Sequence, residues 1–197
     1  MGPSLPGGGE IPRGRLRHGS FLLAERALTW IVNPYWRARI LRSLGATVGR
    51  NARVYEARFF NLQSGFRNLT LGDDVHIGPG CLIDLGDEVV IGRGAVLSPR
   101  VTILTHADPG AHHGAPLART FPPYTRPVRV AESAWIGANS VILAGSKIGR
   151  LAVVGANSLV REDVPPQTIV AGSPAREVRK VDLKDAEGRT SFPGAGS

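Results

Sequence analysis

The stretch Val130–Val164 reads VAESAWIGANSVILAGSKIGRLAVVGANSLVREDV. An aliphatic residue returns at every sixth position: Val130, Ile136, Ile142, Ile148, Val154 and Val160. Four places after each stands a small or β-branched residue: Ala134, Ser140, Ser146, Ala152, Ser158 and Val164. A helix needs a period near 3.6 and a half-buried strand a period of 2. A period of six fits neither. It marks a β-helix, in which each hexapeptide supplies one flat side and one corner of a coil. The same register recurs upstream at Leu71, Ile77, Ile83 and at Ile91, Leu97, Ile103, with Val75, Cys81, Ala95 and Val101 as the small positions. The fold class expected is all-β: a parallel three-sided prism of about five coils, roughly 20–25 Å tall at the usual strand spacing. The aliphatic residues point inward and stack on their counterparts one coil away.

Outside the repeats, residues 1–19 are rich in Gly and Pro and are expected to form a disordered arm. Residues 20–45 are expected to form a helical cap. Residues 21–32 read as one helix with Ser20 as its N-cap, Asn33-Pro34 interrupts it, and residues 34–44 read as a second helix ending before Gly45. The β-helix is expected over 46–165, with a long loop at 104–129 where the period breaks. Pro165-Pro166 ends the coil because proline cannot donate to a strand ladder. A C-terminal segment over 166–183 and a disordered tail over 184–197 complete the chain.

The formal net charge is +8, and lysine stands only at Lys147, Lys180 and Lys184, so arginine carries most of it. Such a charge suits anionic partners. Nucleic acid is not expected among them, because no basic stripe interleaved with aromatics and no groove-reading motif is present. No apolar run approaches a membrane span, and the first residues lack a secretory h-region, so a cytoplasmic location is expected. The single cysteine, Cys81, falls on an inward small position and is expected to be a buried core thiol. Residues 21–44 carry more apolar surface than two short helices hide, and residues 1–45 hold seven arginines against Glu10 and Glu25. Two readings compete. The helices cap the open first coil, or they lie on an anionic membrane surface. Capping is needed whatever the substrate and is the reading expected, with at most weak, salt-sensitive membrane contact.

Ile103-Leu104-Thr105-His106, Arg126-Pro127-Val128, Ala134 to Asn139, Val153 to Val160 and Val170 to Ala175 follow one another in a familiar order and spacing. This pattern resembles the hexapeptide-repeat acyltransferases, particularly the sugar O-acetyltransferases that act on galactosides, maltose and nodulation factors. The resemblance covers residues 45–182 and is most specific over 130–176. It implies a left-handed β-helix, a homotrimer, acetyl-CoA as co-substrate with no metal required, and a sugar or glycan acceptor.

The resemblance also implies roles. His106, at the start of the broken-period loop, matches the family's general base. Imidazole suits that task because it exchanges protons near neutral pH. For His112 and His113, in the same loop, two readings stay open: assistance in acceptor binding or, with His106, ligation of a metal. Asp84 stands near the place where the family sets an acidic residue against acceptor hydroxyls. Trp135 matches the aromatic near the reacting end of the coenzyme A groove, which the family forms between neighbouring subunits. Ala138 and Ala156 match positions where the pantetheine arm passes close to backbone. Arg176 and Arg179 match residues that meet the nucleotide phosphates. The family's Thr-Lys pair after the last full repeat is Arg161-Glu162 here, so Arg161 is expected to replace the lysine's charge.

The function expected is transfer of an acetyl group from acetyl-CoA to a sugar or glycan hydroxyl. N-acylation of an amino sugar or another small acceptor is the nearest alternative. A γ-class carbonic anhydrase shares the fold and would need His76, His106 and His112 or His113 on zinc; the Trp135 and Ala171-Gly172-Ser173-Pro174-Ala175 segments argue against it. A non-catalytic scaffold is the remaining reading.

Overall fold

The computed structural model describes residues 13–182. Two helices, α1 (Arg13–Leu28) and α2 (Pro34–Ser43), precede the strands. The first coil is β1 (Thr47–Val48), β2 (Arg53–Val54) and β3 (Arg58–Phe60). The second is β4 (Leu69–Leu71), β5 (His76–Ile77) and β6 (Leu82–Asp84), and the third is β7 (Val89–Ile91), β8 (Val96–Leu97) and β9 (Thr102–Ile103). A hairpin, β10 (His106–Ala107) and β11 (Tyr124–Thr125), intervenes. The fourth coil is β12 (Val128–Val130), β13 (Trp135–Ile136) and β14 (Val141–Ile142); the fifth is β15 (Lys147–Ile148), β16 (Val153–Val154) and β17 (Leu159–Val160). β18 (Thr168–Ala171) adds part of a sixth, and β19 (Arg176–Lys180) folds back antiparallel onto it.

The strands stack in three parallel sheets, one per face of the prism. The first face runs β1-β4-β7-β12-β15, the second β2-β5-β8-β13-β16-β18-β19, and the third β3-β6-β9-β14-β17. The registers join the hexapeptide positions as the six-residue period requires: Leu97 faces Ile136 and Ile136 faces Val154. All six aliphatic positions of the quoted stretch and all six small positions are buried. Among the buried serines, Ser140 Oγ donates one coil away to Gly155 O at 2.9 Å, and Ser158 Oγ donates to the same oxygen, three residues back, at 2.7 Å. Ser146 Oγ makes no hydrogen bond among the described residues. Close coil-on-coil approach needs glycine at Gly137, where a Cβ would stand 2.5 Å from Ala156 N. Cys81 is buried as expected, and burial pushes its thiol up to about 11 against the opposing pull of backbone hydrogen bonds.

The helices cover the open first coil. α2 packs on β1 and β2, and α1 packs on β3, so all three sheet edges at this end are protected. Leu28, Ala38, Leu41, Phe59, Leu62 and Phe66 form the core beneath them. Arg37 is buried and acts as a clasp: Nη1 donates to Leu28 O at 2.6 Å and Nη2 to Ala57 O at 3.1 Å. Asn33 caps α2 through Tyr35 N and Trp36 N, with Pro34 in its first turn as expected. The first helix departs from expectation. It starts at Arg13 and stops at Leu28, so Ser20 lies inside it and part of the expected arm is helical. Gly14 and Gly19 lower helix propensity without breaking the backbone pattern, and no proline stands between Pro12 and the turn at Thr29. Residues 1–12 and the tail 184–197 lie outside the described residues. No described helix is long and apolar enough to cross a membrane.

Candidate active site

Three connections that lengthen the period fall at one corner of the prism, between the third face and the first. After β3 the chain makes a 3-10 turn, Leu62–Ser64, before β4; after β6 it needs only residues 85–88 to reach β7; after β9 it makes the long excursion to β12. Because β3, β6 and β9 are neighbours in one sheet and β4, β7 and β12 in another, these three departures stack. They bring together Asn61, Asp84 and His106.

Asp84 is fully buried. Its Oδ2 accepts from Thr105 N at 2.8 Å and His106 N at 3.1 Å, and it is paired closely with His106 Nδ1. Its Oδ1 accepts from Asn61 Nδ2 at 2.8 Å and Gly86 N at 3.0 Å. Burial alone would raise the carboxyl pKa, but the bonds from His106, Gly86, Asn61 and Thr105 outweigh it and hold Asp84 below the ordinary carboxylate range. Asp84, expected from the sequence to face acceptor hydroxyls, is instead buried, with both its oxygens bonded within the protein. Thr105 and His106 take up its Oδ2, and Asn61 and Gly86 its Oδ1.

His106 is one-third exposed, with the edge of its ring toward Phe60 at 6.3 Å between centroids. A neutral imidazole with Nδ1 facing a carboxylate carries its proton there, which leaves Nε2 as a free acceptor. The ring lines a cleft of ≈ 570 Å³ together with Asn61, Gln63, Asp108, Tyr124 and Thr125. Asp108 Oδ1 accepts from Gly110 N and Ala111 N, both at 2.8 Å, and so shapes the loop. His113 is exposed and does not line the cleft; His112 shares its short helix, Ala111–His113. His76 lies on the second face, 5.1 Å from the Tyr55 ring, away from this corner. Among the described residues no group of three or more His, Cys, Asp or Glu is placed to hold a metal ion. A buried carboxylate bonded to an imidazole that opens on a cleft can orient the ring and stabilise its protonated form, as general base catalysis of acyl transfer requires.

Residues 127–162 match the family model for the bacterial transferase hexapeptide, six repeats. The chain is 31% identical over 175 residues to the galactoside O-acetyltransferase of Escherichia coli K12, spanning 89% of this chain and 83% of that one. The chain belongs to the hexapeptide-repeat acyltransferases. A solved galactoside acetyltransferase in complex with coenzyme A superposes on this acyltransferase with a TM-score of 0.70, at 26% identity over 91% of this chain and 88% of that one. A hexapeptide-repeat acetyltransferase from Vibrio cholerae, complexed with acetyl coenzyme A, shares the fold with a TM-score of 0.73 at 23% identity, covering 89% and 92% of the two chains. The prism is thus the left-handed parallel β-helix of this family.

The residues expected to meet coenzyme A lie elsewhere on the acyltransferase. Trp135 is half-exposed on the second face, and its Nε1 donates to Ser98 Oγ at 2.9 Å. Ala138 and Ala156 stack one coil apart at the corner between the second and third faces, where Asn157 N donates to Ala138 O at 2.9 Å. Arg161 and Arg176 share a groove of ≈ 200 Å³ near the last coil. Arg161 Nε lies 3.3 Å from Glu162 Oε1, so its neighbour's charge is engaged internally. Arg179 is exposed on β19, at the outer edge of the second sheet. Trp135, Ala138 and Ala156 stand away from the corner of His106, whereas Arg161, which follows β17, lies at that same third-to-first corner two coils along. Sequence reasoning missed Asn61 and Thr105, which complete the shell around Asp84. The signal in the sequence was the break of period beside each; that the breaks share one corner follows from the stacking.

Proposed function

We propose that this acyltransferase moves an acetyl group from acetyl-CoA to a hydroxyl of a sugar or glycan, with His106 as general base. The observation that carries this reading is the buried Asp84 paired with Nδ1 of His106, whose ring lines the cleft. The acceptor hydroxyl gives its proton to His106 Nε2 as its oxygen attacks the thioester carbonyl. The tetrahedral intermediate then collapses, the carbon–sulfur bond breaks, and the imidazolium returns the proton to the departing thiolate. Asp84 holds the ring in the required tautomer and balances its transient charge. No enzyme nucleophile is needed, and Cys81 is walled into the core. The O-acetyltransferase relative, which matches along most of this chain, supports a hydroxyl acceptor over an amine.

The complete site is a property of a homotrimer. Trp135, Ala138 and Ala156 stand away from the corner that holds the base in one chain, so a neighbouring prism would bring such residues to His106. The hairpin loop leaves Leu117, Phe121 and Tyr124 exposed, the apolar surface such a neighbour would cover. The test is thiol release from acetyl-CoA against a panel of glycosides, oligosaccharides and amino sugars, with mass spectrometry of the product. An ester on a sugar hydroxyl supports the reading; an amide on an amino sugar, or no release with any acceptor, removes it.

A further inference from the structure

The helical cap does more than close the first coil. Its coil-facing side chains, Leu28, Arg37, Ala38 and Leu41, are buried. Twelve large hydrophobic side chains are exposed among the described residues, and six of them fall between positions 22 and 36. These are Leu22, Leu23, Trp30, Val32, Tyr35 and Trp36, with Trp30 87% and Val32 93% exposed. Capping does not use them. The exposed charges on the two helices themselves are of one sign among the described residues, and the nearby exposed acid is Glu56, whose charge acts on Arg37. Glu25 is buried and committed to Arg58 at 2.6 Å, while Arg26 and Arg39 are exposed and make no ion pair among the described residues. Arg39 lines a groove of ≈ 300 Å³ with Trp36 and Ile40, and a second of ≈ 280 Å³ with Tyr35, Arg42 and Arg50, neither lined by any acid. The Arg42 guanidinium donates to the Val48 and Gly49 carbonyls and makes no ion pair among the described residues, whereas Arg50 is paired with Asp73.

We infer that this end of the prism docks on an anionic lipid bilayer, with Trp30, Val32 and Trp36 in the headgroup–acyl boundary and Arg26, Arg39 and Arg42 at the phosphates. Tryptophan and tyrosine favour that depth, and arginine beside them favours anionic headgroups over neutral ones. A second copy is a poor occupant, because a two-fold contact would set these arginines against themselves. The patch exists in every chain. On the trimer reading above, parallel coil axes place three copies at one end, and their joint engagement strengthens binding without new contacts.

The full-length protein is tested by co-sedimentation with vesicles of phosphatidylglycerol and phosphatidylcholine, and with vesicles of phosphatidylcholine alone. Binding to the anionic vesicles with a blue shift of tryptophan emission is expected, and weaker binding to the neutral ones. Arg39→Gln should weaken binding about fivefold and flatten its salt dependence. The double change Trp30→Ser and Trp36→Ser should weaken it about tenfold or more, while thiol release with a soluble acceptor stays at the wild-type level. Equal binding of the double variant, or no wild-type binding to anionic vesicles, overturns the inference. So does a fall in molecular mass of the double variant on light scattering, which would show that the patch is covered by a second copy. A failure of acetyl transfer itself would leave the vesicle result readable, since binding needs no turnover.

Discussion

Replacing Asp84 by asparagine keeps the shape of the corner and changes only which atoms accept. Wild-type Oδ2 receives Thr105 N, His106 N and His106 Nδ1, and Oδ1 receives Asn61 Nδ2 and Gly86 N. In Asp84→Asn one oxygen becomes an NH2. Whichever way the amide turns, at least two buried donors then face a donor. At about 1–3 kcal/mol for each orphaned group, the variant should lose about 2–6 kcal/mol of stability. The catalytic effect is separate. An amide NH2 toward His106 favours the tautomer that accepts at Nδ1 and carries its proton on Nε2, the nitrogen that must take the acceptor's proton. A base held in the wrong tautomer and stripped of its counter-charge should lower kcat by about 10²–10⁴. The assay is steady-state thiol release with a turned-over acceptor, on protein whose circular dichroism is native, with urea unfolding alongside. In a His106→Ala background the same change should cost almost no further activity, since both act through one ring. A folded Asp84→Asn enzyme within about threefold of wild-type kcat would refute the reasoning.

Light scattering should give the mass of a trimer, and a monodisperse monomer with full activity would dissolve the shared-site argument. Cys81, with its thiol raised to about 11, should stay inert to a disulfide reagent at pH 8 and react at once in urea; fast labelling of the native protein would show that the wall is open. Gly137→Ala should cost about 1–3 kcal/mol in urea unfolding, because the new Cβ meets the backbone of the next coil, and an unchanged midpoint would show that the coils can separate there.

The coils were legible because each inward position is filled twice over, once by an aliphatic residue and once by a small one, so the period survives local exceptions. His106 was legible as a position but not as a pair. Its partner Asp84 reads on its own as a corner aspartate, a type common at turns. Their meeting depends on register: Ile83 stacks between Phe59 and Ile103, which drops Asn61, Asp84 and His106 at the same corner. Each break of the period is visible by itself, but only stacking shows that all three coincide. The start of α1 was hidden for another reason, since Gly14 and Gly19 read as arm residues and yet helical backbone accepts them. His113 is exposed and is not among the residues that line the cleft, whereas the lining includes Gln63 and Tyr124, which no period singles out.

The most direct test of the account is the kinetics of His106→Ala. If this imidazole removes the acceptor's proton, kcat should fall by about 10²–10⁴ while the affinity for acetyl-CoA, measured by calorimetry, stays within a few-fold. Near-wild-type turnover by the folded variant, or a loss confined to acetyl-CoA binding, would contradict it.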